Sequence, residues 1–345
     1  MNPKGNINYL RRKINRFFSK LFIDNRSSDL DFNQNITQVK KILISRPNHR
    51  LGNNLLLTPL VKELIDIFPN AEIHLFLMGN IGDLVFENYK EVTKIIKLPR
   101  KPFKNILNYY ACWFSIFQHN YDLAINANRV SSSGKLAVKL SKSRYKFFNV
   151  INKELSKIKD YTHNAKNPIY NLRYHLKNQI DRENYKMPKL DFKLRDYEIQ
   201  NGKKLLKSMF RQQKPVISIF TFATGNKCLS KDWWRELYSE IINLEDNYNI
   251  LEILPAENVS QIDFVAKTYY SRDIREIASV MSNVKIFIGA DSGMMHLANS
   301  SNVTTIGLFN VTEPEFYGVY GNKNININTD DKDIDFIIDS LRRRI

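Results

Sequence analysis

Residues 284–296 read Val-Lys-Ile-Phe-Ile-Gly-Ala-Asp-Ser-Gly-Met-Met-His. The run 284–288 is mostly apolar and β-branched, which predicts a buried strand, and the small residues after it predict a turn into a helix. Such a turn is a common place to bind a phosphorylated ligand, because a helix N-terminus offers free N–H donors and partial positive charge. Asp291 and Ser292 add polar contacts, and Gly293 lets the backbone come close to a ligand. The stretch therefore indicates an α/β protein with a nucleotide-linked substrate.

Strands and helices are predicted to alternate along the rest of the chain. The predicted strands are 41–45, 73–78, 94–98, 123–126, 215–220, 250–254, 284–288 and 304–309. The predicted helices include 54–68, 196–210, 233–244, 259–267, 274–281, one from His296, and 332–344. Residues 139–193 are basic and weakly patterned, and we expect helices and loops there. This alternation is typical of parallel sheets covered by helices.

The 345 residues, with 43% hydrophobic content, suffice for two domains. We expect a basic amphipathic N-terminal segment and linker over residues 1–38. A Rossmann-like domain over 39–210 and a second one over 211–345 are expected to follow, the latter ending in a terminal helix. Two such domains in tandem leave a cleft between them, and ligands bind at the carboxyl ends of the strands.

Charge is divided unevenly along the chain, whose net charge is +17. Residues 1–213 contain 39 Lys and Arg against 17 Asp and Glu, whereas residues 214–331 contain 9 against 15. An anionic substrate or a membrane surface fits the basic first half. Nucleic acid is disfavoured as a partner because no known nucleic-acid-binding motif is present. A solvated lysine-rich surface without a partner remains the simple alternative.

Residues 9–22 combine an apolar face with dense positive charge. Leu10, Ile14, Phe17, Phe18 and Leu21 fall at helical spacing, and five basic residues accompany them without an acid: Arg11, Arg12, Lys13, Arg16 and Lys20. This pattern predicts a helix that lies in an anionic membrane interface, although a helix docked on its own protein has the same pattern. We expect neither a signal peptide nor a transmembrane helix. The two distant cysteines fit a reducing compartment, and together these features predict a cytoplasmic protein at the membrane periphery.

Four polar segments follow predicted strands in the second half and would meet at one sheet edge. They are residues 223–226 with Lys231 nearby, residues 255–257, residues 291–296 and residues 310–314. Thr224, Gly225 and Lys231 suit a diphosphate, and Glu257 suits ribose hydroxyls. Taken singly, each segment is also explained as a loop, a helix cap or a turn.

The pattern Asp-Ser-Gly-Met-Met-His-Leu-Ala over 291–298, with Val-Thr-Thr-Ile-Gly-Leu-Phe and Thr-Glu-Pro after it, resembles glycosyltransferase family 9, the heptosyltransferase-like enzymes of lipopolysaccharide synthesis. Residues 231–233, Lys-Asp-Trp, resemble the family's Lys-x-Trp, and residues 50–60 resemble its Leu-Gly-Asp loop and first helix. The resemblance spans roughly residues 40–325. It implies a GT-B fold with an interdomain cleft. It also implies transfer of a heptose-like sugar from a nucleotide donor to a cell-envelope glycan or anionic glycolipid. The transfer would be inverting and metal-independent and would need no cofactor. The resemblance implies no nucleic-acid partner and a place at the inner face of the inner membrane.

By matching positions, the resemblance assigns the donor contacts. Thr224 and Lys231 would contact the donor phosphates, and Glu257 the ribose. Asp291, Ser292, Gly293 and His296 would surround the diphosphate and the donor sugar. Asp291 and Lys231 are also candidates for catalytic roles.

Asn53 departs from the family, which usually has an Asp there as the proposed general base. An amide does not accept that proton at neutral pH. His49 is the nearest alternative base, since its ordinary pKa suits the task. Positioning and leaving-group stabilisation by Lys231 and helix N-termini is a second explanation, and a catalytically silent sugar-nucleotide-binding protein is a third.

Two further expectations concern the first domain. The turn 79–82 and the basic residues Arg100, Lys101 and Lys104 are candidates to contact an anionic acceptor, or are ordinary surface charges. A Rossmann-type dehydrogenase is disfavoured, because no Gly-x-Gly-x-x-Gly follows the first strand.

Overall fold

A computed structural model describes residues 39–101, 106–177, 185–244, 246–321 and 323–345. The predicted membrane-interface helix over 9–22 and the acceptor candidate Lys104 lie outside these ranges. Within them, no helix is both long and apolar enough to cross a bilayer.

In chain order the elements are β1 (Lys41–Ser45), α1 (Leu51–Leu55), α2 (Thr58–Ile67), β2 (Glu72–Met78), α3 (Ile81–Phe86), β3 (Val92–Leu98), α4 (Ile106–Phe117), β4 (Asn120–Asn126), α5 (Ser132–Leu140), β5 (Lys142–Phe147), α6 (Asn167–Leu176), α7 (Asp196–Met209), β6 (Val216–Phe220), α8 (Lys231–Ile242), β7 (Asn249–Ile253), β8 (Lys267–Tyr269), α9 (Ile274–Met281), β9 (Ile286–Ala290), α10 (Gly293–Ser300), β10 (Thr304–Phe309), α11 (Pro314–Tyr317), β11 (Ile325–Asn328) and α12 (Ile334–Arg342). Short 3₁₀ turns lie at Leu155–Lys157 and Gly225–Lys227.

The described chain divides into two compact units, each with its own parallel sheet. The first unit holds residues up to His49 together with 59–83 and 89–188, and the second holds 50–58, 84–88 and 189–345. Among the described strands, the first sheet has the order β3-β2-β1-β4-β5 and the second has the order β11-β10-β9-β6-β7-β8. Every strand pair in both sheets is parallel. The predicted class, α/β with two Rossmann-like parallel sheets, is confirmed.

The core of the first unit lies between its sheet and the helices α4 and α5. Ile116 of α4 and Ala137 and Val138 of α5 are fully buried against residues of the strands, including Leu43 and Phe76. The opposite face of α4 does not take part in this core, as shown by its exposed residues.

The core of the second unit is dominated by aliphatic residues of the central strands. Ile217, Ile219, Ile286, Ile288 and Ile306 are completely buried. Trp234 and Leu237 of α8 and Ile337 of α12 pack into the same cluster. Strands buried on both faces require such continuous apolar runs, which is why β6 and β9 were visible in the sequence.

Residues 189–210, which the sequence analysis placed in the first domain, belong by their contacts to the second unit. The reason is the close packing of α7 on α9. A Cβ built on Gly202 of α7 would lie 2.1 Å from the carbonyl oxygen of Ser279 on α9. Only glycine permits this approach, so α7 is fixed to the second sheet.

Residues 84–88 also belong to the second unit. Arg275, at the start of α9, makes a two-pronged ion pair with Glu198 of α7, with Nε–Oε1 and Nη2–Oε2 distances of 2.6 and 2.8 Å. Its Nη1 donates to the carbonyl oxygen of Leu84 at 2.9 Å. Arg275 is 6% exposed, so these partners offset the cost of burying its charge.

Three edge strands were not predicted, and one predicted helix is absent. β5 carries three basic residues and therefore looked like a loop, while β8 and β11 are only three and four residues long. The predicted helix 259–267 is replaced by turns ahead of β8. Asn258, Asp263 and Phe264 have φ of 54°, 54° and 60°, in the left-handed region that a right-handed helix excludes.

His74 makes the stability of the first unit dependent on pH. The ring is 4% exposed and its Nδ1 lies 3.1 Å from the hydroxyl of Tyr121. Burial, with the nearby positive charge of His119, Lys41 and Lys94, lowers the pKa of His74 from 6.5 to about 4. Because of this lowered pKa, the unfolded state binds a proton at a higher pH than the folded state does. The contribution of neutral His74 to the free energy of unfolding is therefore fully present above pH 6.5 and is lost as the pH falls towards 4.

We expect the free energy of unfolding to fall by about 2 kcal/mol between about pH 7.5 and about pH 5 through His74 alone. Urea unfolding at both pH values checks this. His74→Gln is expected to flatten the dependence, whereas His49→Gln, at an exposed position, is expected to retain it. An unchanged slope in His74→Gln would contradict the assignment.

Candidate functional site

A cavity of about 460 Å³ lies at the carboxyl ends of β6, β7 and β9 in the second unit. Its apolar lining comes from Leu51, Phe220, Phe222, Leu254, Ile274, Ile277 and Met294. Its polar lining includes Thr224, Glu257, Ser271, Arg272 and Ser292. An apolar slot with a few polar groups is typical of a small-molecule site.

Asp291 lies directly after β9 and is 7% exposed. Its Oδ2 accepts hydrogen bonds from the ammonium of Lys227 and from the hydroxyl of Thr312. The Lys227 side chain is 27% exposed, so its charge is offset by Asp291 yet remains open to solvent. Three loops that follow β6, β9 and β10 thus meet at one carboxylate.

The helix α10 begins beside this carboxylate. Ser292 is its N-cap, and the Ser292 hydroxyl accepts a hydrogen bond from the backbone N–H of Met295 at 3.4 Å. Helix geometry leaves the N–H groups of Gly293 and Met294 without partners inside the helix. Ser292, Gly293 and Met294 all line the cavity, so the positive end of α10 faces it.

The short helix α1 packs on α10 through two glycines. A Cβ built on Gly52 would lie 2.7 Å from Cδ2 of His296, and one built on Gly293 would lie 3.2 Å from Cβ of Leu51. His296 is 3% exposed, so it is a packing residue as well as a candidate ligand contact. This packing places α1, which contains Asn53, in the same unit as Asp291.

Neither Lys231 nor Lys227 lines the cavity itself, and the two lysines differ in their partners. Lys231 is the first residue of α8, and its ammonium pairs with Asp263 at 2.6 Å while the side chain remains 50% exposed. Lys231 and Arg235 together hold the pKa of Asp263 below its usual range. The lysine that the structure brings to Asp291 is Lys227, four residues earlier.

The other predicted residues divide between the two units. Thr224 and Glu257 line the cavity, and Gly225, with φ of +65°, begins the 3₁₀ turn that carries Lys227. His49 belongs to the first unit and is exposed. A Cβ built on Gly79, where φ is +71°, would lie 3.3 Å from Cδ of Arg100, so the predicted acceptor turn packs against one of the predicted basic residues.

The sequence did not single out Lys227 and Thr312, the two partners of Asp291. Lys227 lies in the predicted loop after β6, but only Lys231 matches the Lys-x-Trp pattern. Thr312 lay in the fourth polar segment and was interpreted as part of a turn. Convergence after parallel strands was the signal that applied to both residues.

Glu252 supports the cavity from behind. It is fully buried on β7 and accepts hydrogen bonds from the hydroxyls of Thr221 at 2.6 Å and Ser260 at 2.8 Å. Burial raises the pKa of Glu252, and the two hydroxyls offset part of that rise. Thr221 leads into the loop with Phe222 and Thr224, and Ser260 follows the loop with Glu257, so Glu252 fixes two walls of the cavity.

No metal-binding cluster was expected from the sequence. Across the residues that the structure describes, no group of three or more His, Cys, Asp or Glu side chains is placed to hold a metal ion.

Comparison with known families agrees with these features. The profile of glycosyltransferase family 9 (heptosyltransferase) matches residues 110–336. The chain belongs to glycosyltransferase family 9. The match includes the whole Asp291–His296 segment, and membership identifies the protein as a glycosyltransferase. Among curated protein sequences, none matches this chain.

Solved structures share the fold at low sequence identity. A family 9 glycosyl transferase from Veillonella parvula DSM 2008 has a TM-score of 0.69 at 17% identity, over 91% of this chain and 92% of that one. The E. coli heptosyltransferase WaaC with ADP has a TM-score of 0.64 at 15% identity, over 88% of this chain and 100% of that one. E. coli ADP-heptose lps heptosyltransferase II has a TM-score of 0.65 at 14% identity, over 88% of this chain and 98% of that one. The predicted GT-B fold class is confirmed.

The contact between α1 and α10 predicts an unusual effect of alanine. In a helix, Gly→Ala normally stabilises by up to about 1 kcal/mol. Because a Cβ on Gly52 would overlap His296, we expect Gly52→Ala to lower the free energy of unfolding by about 1–3 kcal/mol instead.

The double variant Gly52→Ala/His296→Ala separates this overlap from other effects. Removing the imidazole makes room for the methyl group, so the two substitutions should couple by at least about 1 kcal/mol in a double-mutant cycle measured by urea unfolding. Additive effects would show that the two residues do not press on each other.

Proposed function

We propose that this family 9 protein transfers a heptose-like sugar from a nucleoside-diphosphate donor to a hydroxyl of a cell-envelope glycan or anionic glycolipid, with inversion at the anomeric carbon and without a metal ion. The observation that carries the donor half is the meeting of Lys227, Thr312 and Asp291 beside the N-terminus of α10. A buried carboxylate that holds an open ammonium next to free N–H donors suits a diphosphate.

The donor is proposed to lie along the cavity. Its base takes the apolar slot that includes Phe220 and Leu254, and its ribose hydroxyls donate to Glu257. The diphosphate then reaches the N–H groups at the start of α10 and the ammonium of Lys227. The E. coli relative WaaC has been solved with ADP and with ADP-2-deoxy-2-fluoro heptose, which supports a donor of this class.

The transfer forms one bond and breaks one. The acceptor oxygen bonds to the anomeric carbon from the face opposite the diphosphate, and the bond from that carbon to the phosphate oxygen breaks. The nucleoside diphosphate leaves with the electron pair, and the acceptor proton passes to a base. Lys227 and the dipole of α10 stabilise the charge that develops on the leaving oxygen, while Asp291 positions Lys227.

The proposed general base is not the residue at the position where the family usually has an Asp. Asn53 does not take a proton at neutral pH. His49 precedes α1 by two residues and is exposed, so it is the proposed base. The competing function is a sugar-nucleotide-binding protein that does not catalyse transfer, and Asn53 is the specific residue that favours it.

The distribution of charge supports the proposed acceptor and location. The first 213 residues carry 39 basic against 17 acidic residues, and Arg100 and Lys101 are exposed beside the turn at Gly79. We propose an anionic, membrane-borne acceptor and a cytoplasmic protein bound to the inner membrane at its periphery, with residues 9–22 as one contact.

Substitution of the two lysines tests the donor site. Lys227→Ala is expected to weaken ADP binding by about 10- to 100-fold, because a charged hydrogen bond to phosphate is lost. Lys231→Ala, which removes an ammonium paired with Asp263, is expected to change affinity less than about twofold. Isothermal titration calorimetry measures both, and Lys227→Arg, which keeps the charge, should retain most of the affinity. The reverse order of effects would assign the site to Lys231.

Activity assays separate transfer from silent binding. The full-length protein is incubated with ADP-heptose and membrane glycolipid in EDTA, and acceptor-dependent release of ADP is measured. We expect release, a rate at least about tenfold lower in His49→Ala with a flattened pH–rate profile, and a higher rate in Asn53→Asp. Binding of ADP without release for any nucleotide sugar would favour the silent function.

A further inference from the structure

The helix α4 presents an apolar face to solvent. Ile106, Leu107, Tyr110 and Phe114 are 52, 84, 67 and 62% exposed. Leu107, Tyr110 and Phe114 follow the i, i+3, i+7 spacing of one helix face. The opposite face carries Ile116, which is fully buried in the first unit's core.

The sequence of α4, Ile-Leu-Asn-Tyr-Tyr-Ala-Cys-Trp-Phe-Ser-Ile-Phe, contains no charged residue. A surface helix of a soluble domain normally turns charged or polar side chains outwards. A contiguous exposed patch of large apolar side chains instead marks an interaction surface. These exposed side chains do not pack in the core of the first unit, because α4 contributes its opposite side to that core.

The elements that pack against α4 lie in basic segments of the chain. α4 packs against β3 and α5. The segments around these two elements, residues 89–101 and 129–146, contain 11 Lys and Arg and a single acid, Glu91. The exposed ones among them are Lys90, Lys97, Arg100, Lys101, Lys142 and Arg144.

We propose that the α4 face, defined by Ile106, Leu107, Tyr110 and Phe114, inserts into an anionic lipid bilayer while the flanking lysines and arginines bind the phosphate headgroups. Apolar and aromatic side chains at the centre with cations around them are the pattern of a membrane-interface helix. The inference names a surface for the membrane association within the proposed function. It depends neither on residues 9–22 nor on the transfer reaction.

A second copy of the chain fits this face less well. A two-fold interface places the same surface of each copy against itself. The basic borders, with 11 cations against one acid, would then face each other and repel. An anionic bilayer complements the same borders.

The test is co-sedimentation of the full-length protein with vesicles of phosphatidylethanolamine containing phosphatidylglycerol, and with vesicles of phosphatidylcholine alone. We expect binding to the anionic vesicles that salt weakens, and little binding to phosphatidylcholine. The variants L107Q/F114Q and L107E/F114E are expected to bind the anionic vesicles at least about tenfold more weakly. The neutral pair separates loss of apolar contact from added negative charge.

The matched control is V265E/F336E, which places the same two charges at exposed apolar positions of the second unit and is expected to bind like the wild type. Thermal melting and ADP affinity, expected to be unchanged in L107Q/F114Q, verify that the fold is intact. F17E/F18E reports on residues 9–22 separately.

Wild-type binding by L107Q/F114Q overturns the inference. If F17E/F18E alone abolishes vesicle binding, membrane association stands and the α4 face has no part in it. A wild-type dimer that L107Q/F114Q converts to a monomer, measured by light scattering, also overturns it and assigns the face to a second copy.

Discussion

The proposed donor site depends on the close approach of two helices, α1 and α10, across a pair of glycines. Gly52 leaves room for the imidazole of His296, and Gly293 leaves room for the side chain of Leu51. A larger residue at either position would push α1 away. Through this contact Leu51 becomes part of the cavity wall, and α1, with Asn53, joins the unit that holds Asp291. Packing therefore determines which chemistry-bearing residues share one unit.

Electrostatics at the site follow from one buried carboxylate. Asp291 is almost fully buried, and an isolated charge there would be costly. Lys227 and Thr312 satisfy it, and in return it holds the ammonium at the mouth of the α10 N-terminus. Glu252 fixes two neighbouring loops through neutral hydroxyl donors. Asp291 and Glu252 are thus both paired, and the partly exposed Lys227 and the N–H groups at the start of α10 are the groups proposed to meet an anionic ligand.

The two units differ in where their polar, charged and exposed apolar residues lie. The second unit concentrates its polar residues at the carboxyl ends of its strands, where the family motif lies. The first unit carries most of the excess positive charge and the uncharged, half-exposed helix α4. The pocket of the second unit and the basic, partly apolar surface of the first unit support the proposed transfer from a nucleotide sugar to a membrane-borne acceptor.

Local patterns along the chain are enough to predict the class of fold, the central strands and the family. Long apolar runs such as 216–220 and 286–290 are dictated by burial on both faces, and the segment 291–298 matched its family because the spacing of Asp, Gly and His is local. Long-range packing determines which of two lysines meets Asp291. The direction of Lys227 depends on the left-handed turn at Gly225, and that of Lys231 depends on its ion pair with Asp263. Long-range packing also determines the edge strands β5, β8 and β11, whose pairing comes from a neighbouring strand rather than from their own composition. The physical reason is that the hydrophobic periodicity of a segment reflects which of its residues are buried. The partner of a charged side chain, by contrast, depends on residues far away along the chain.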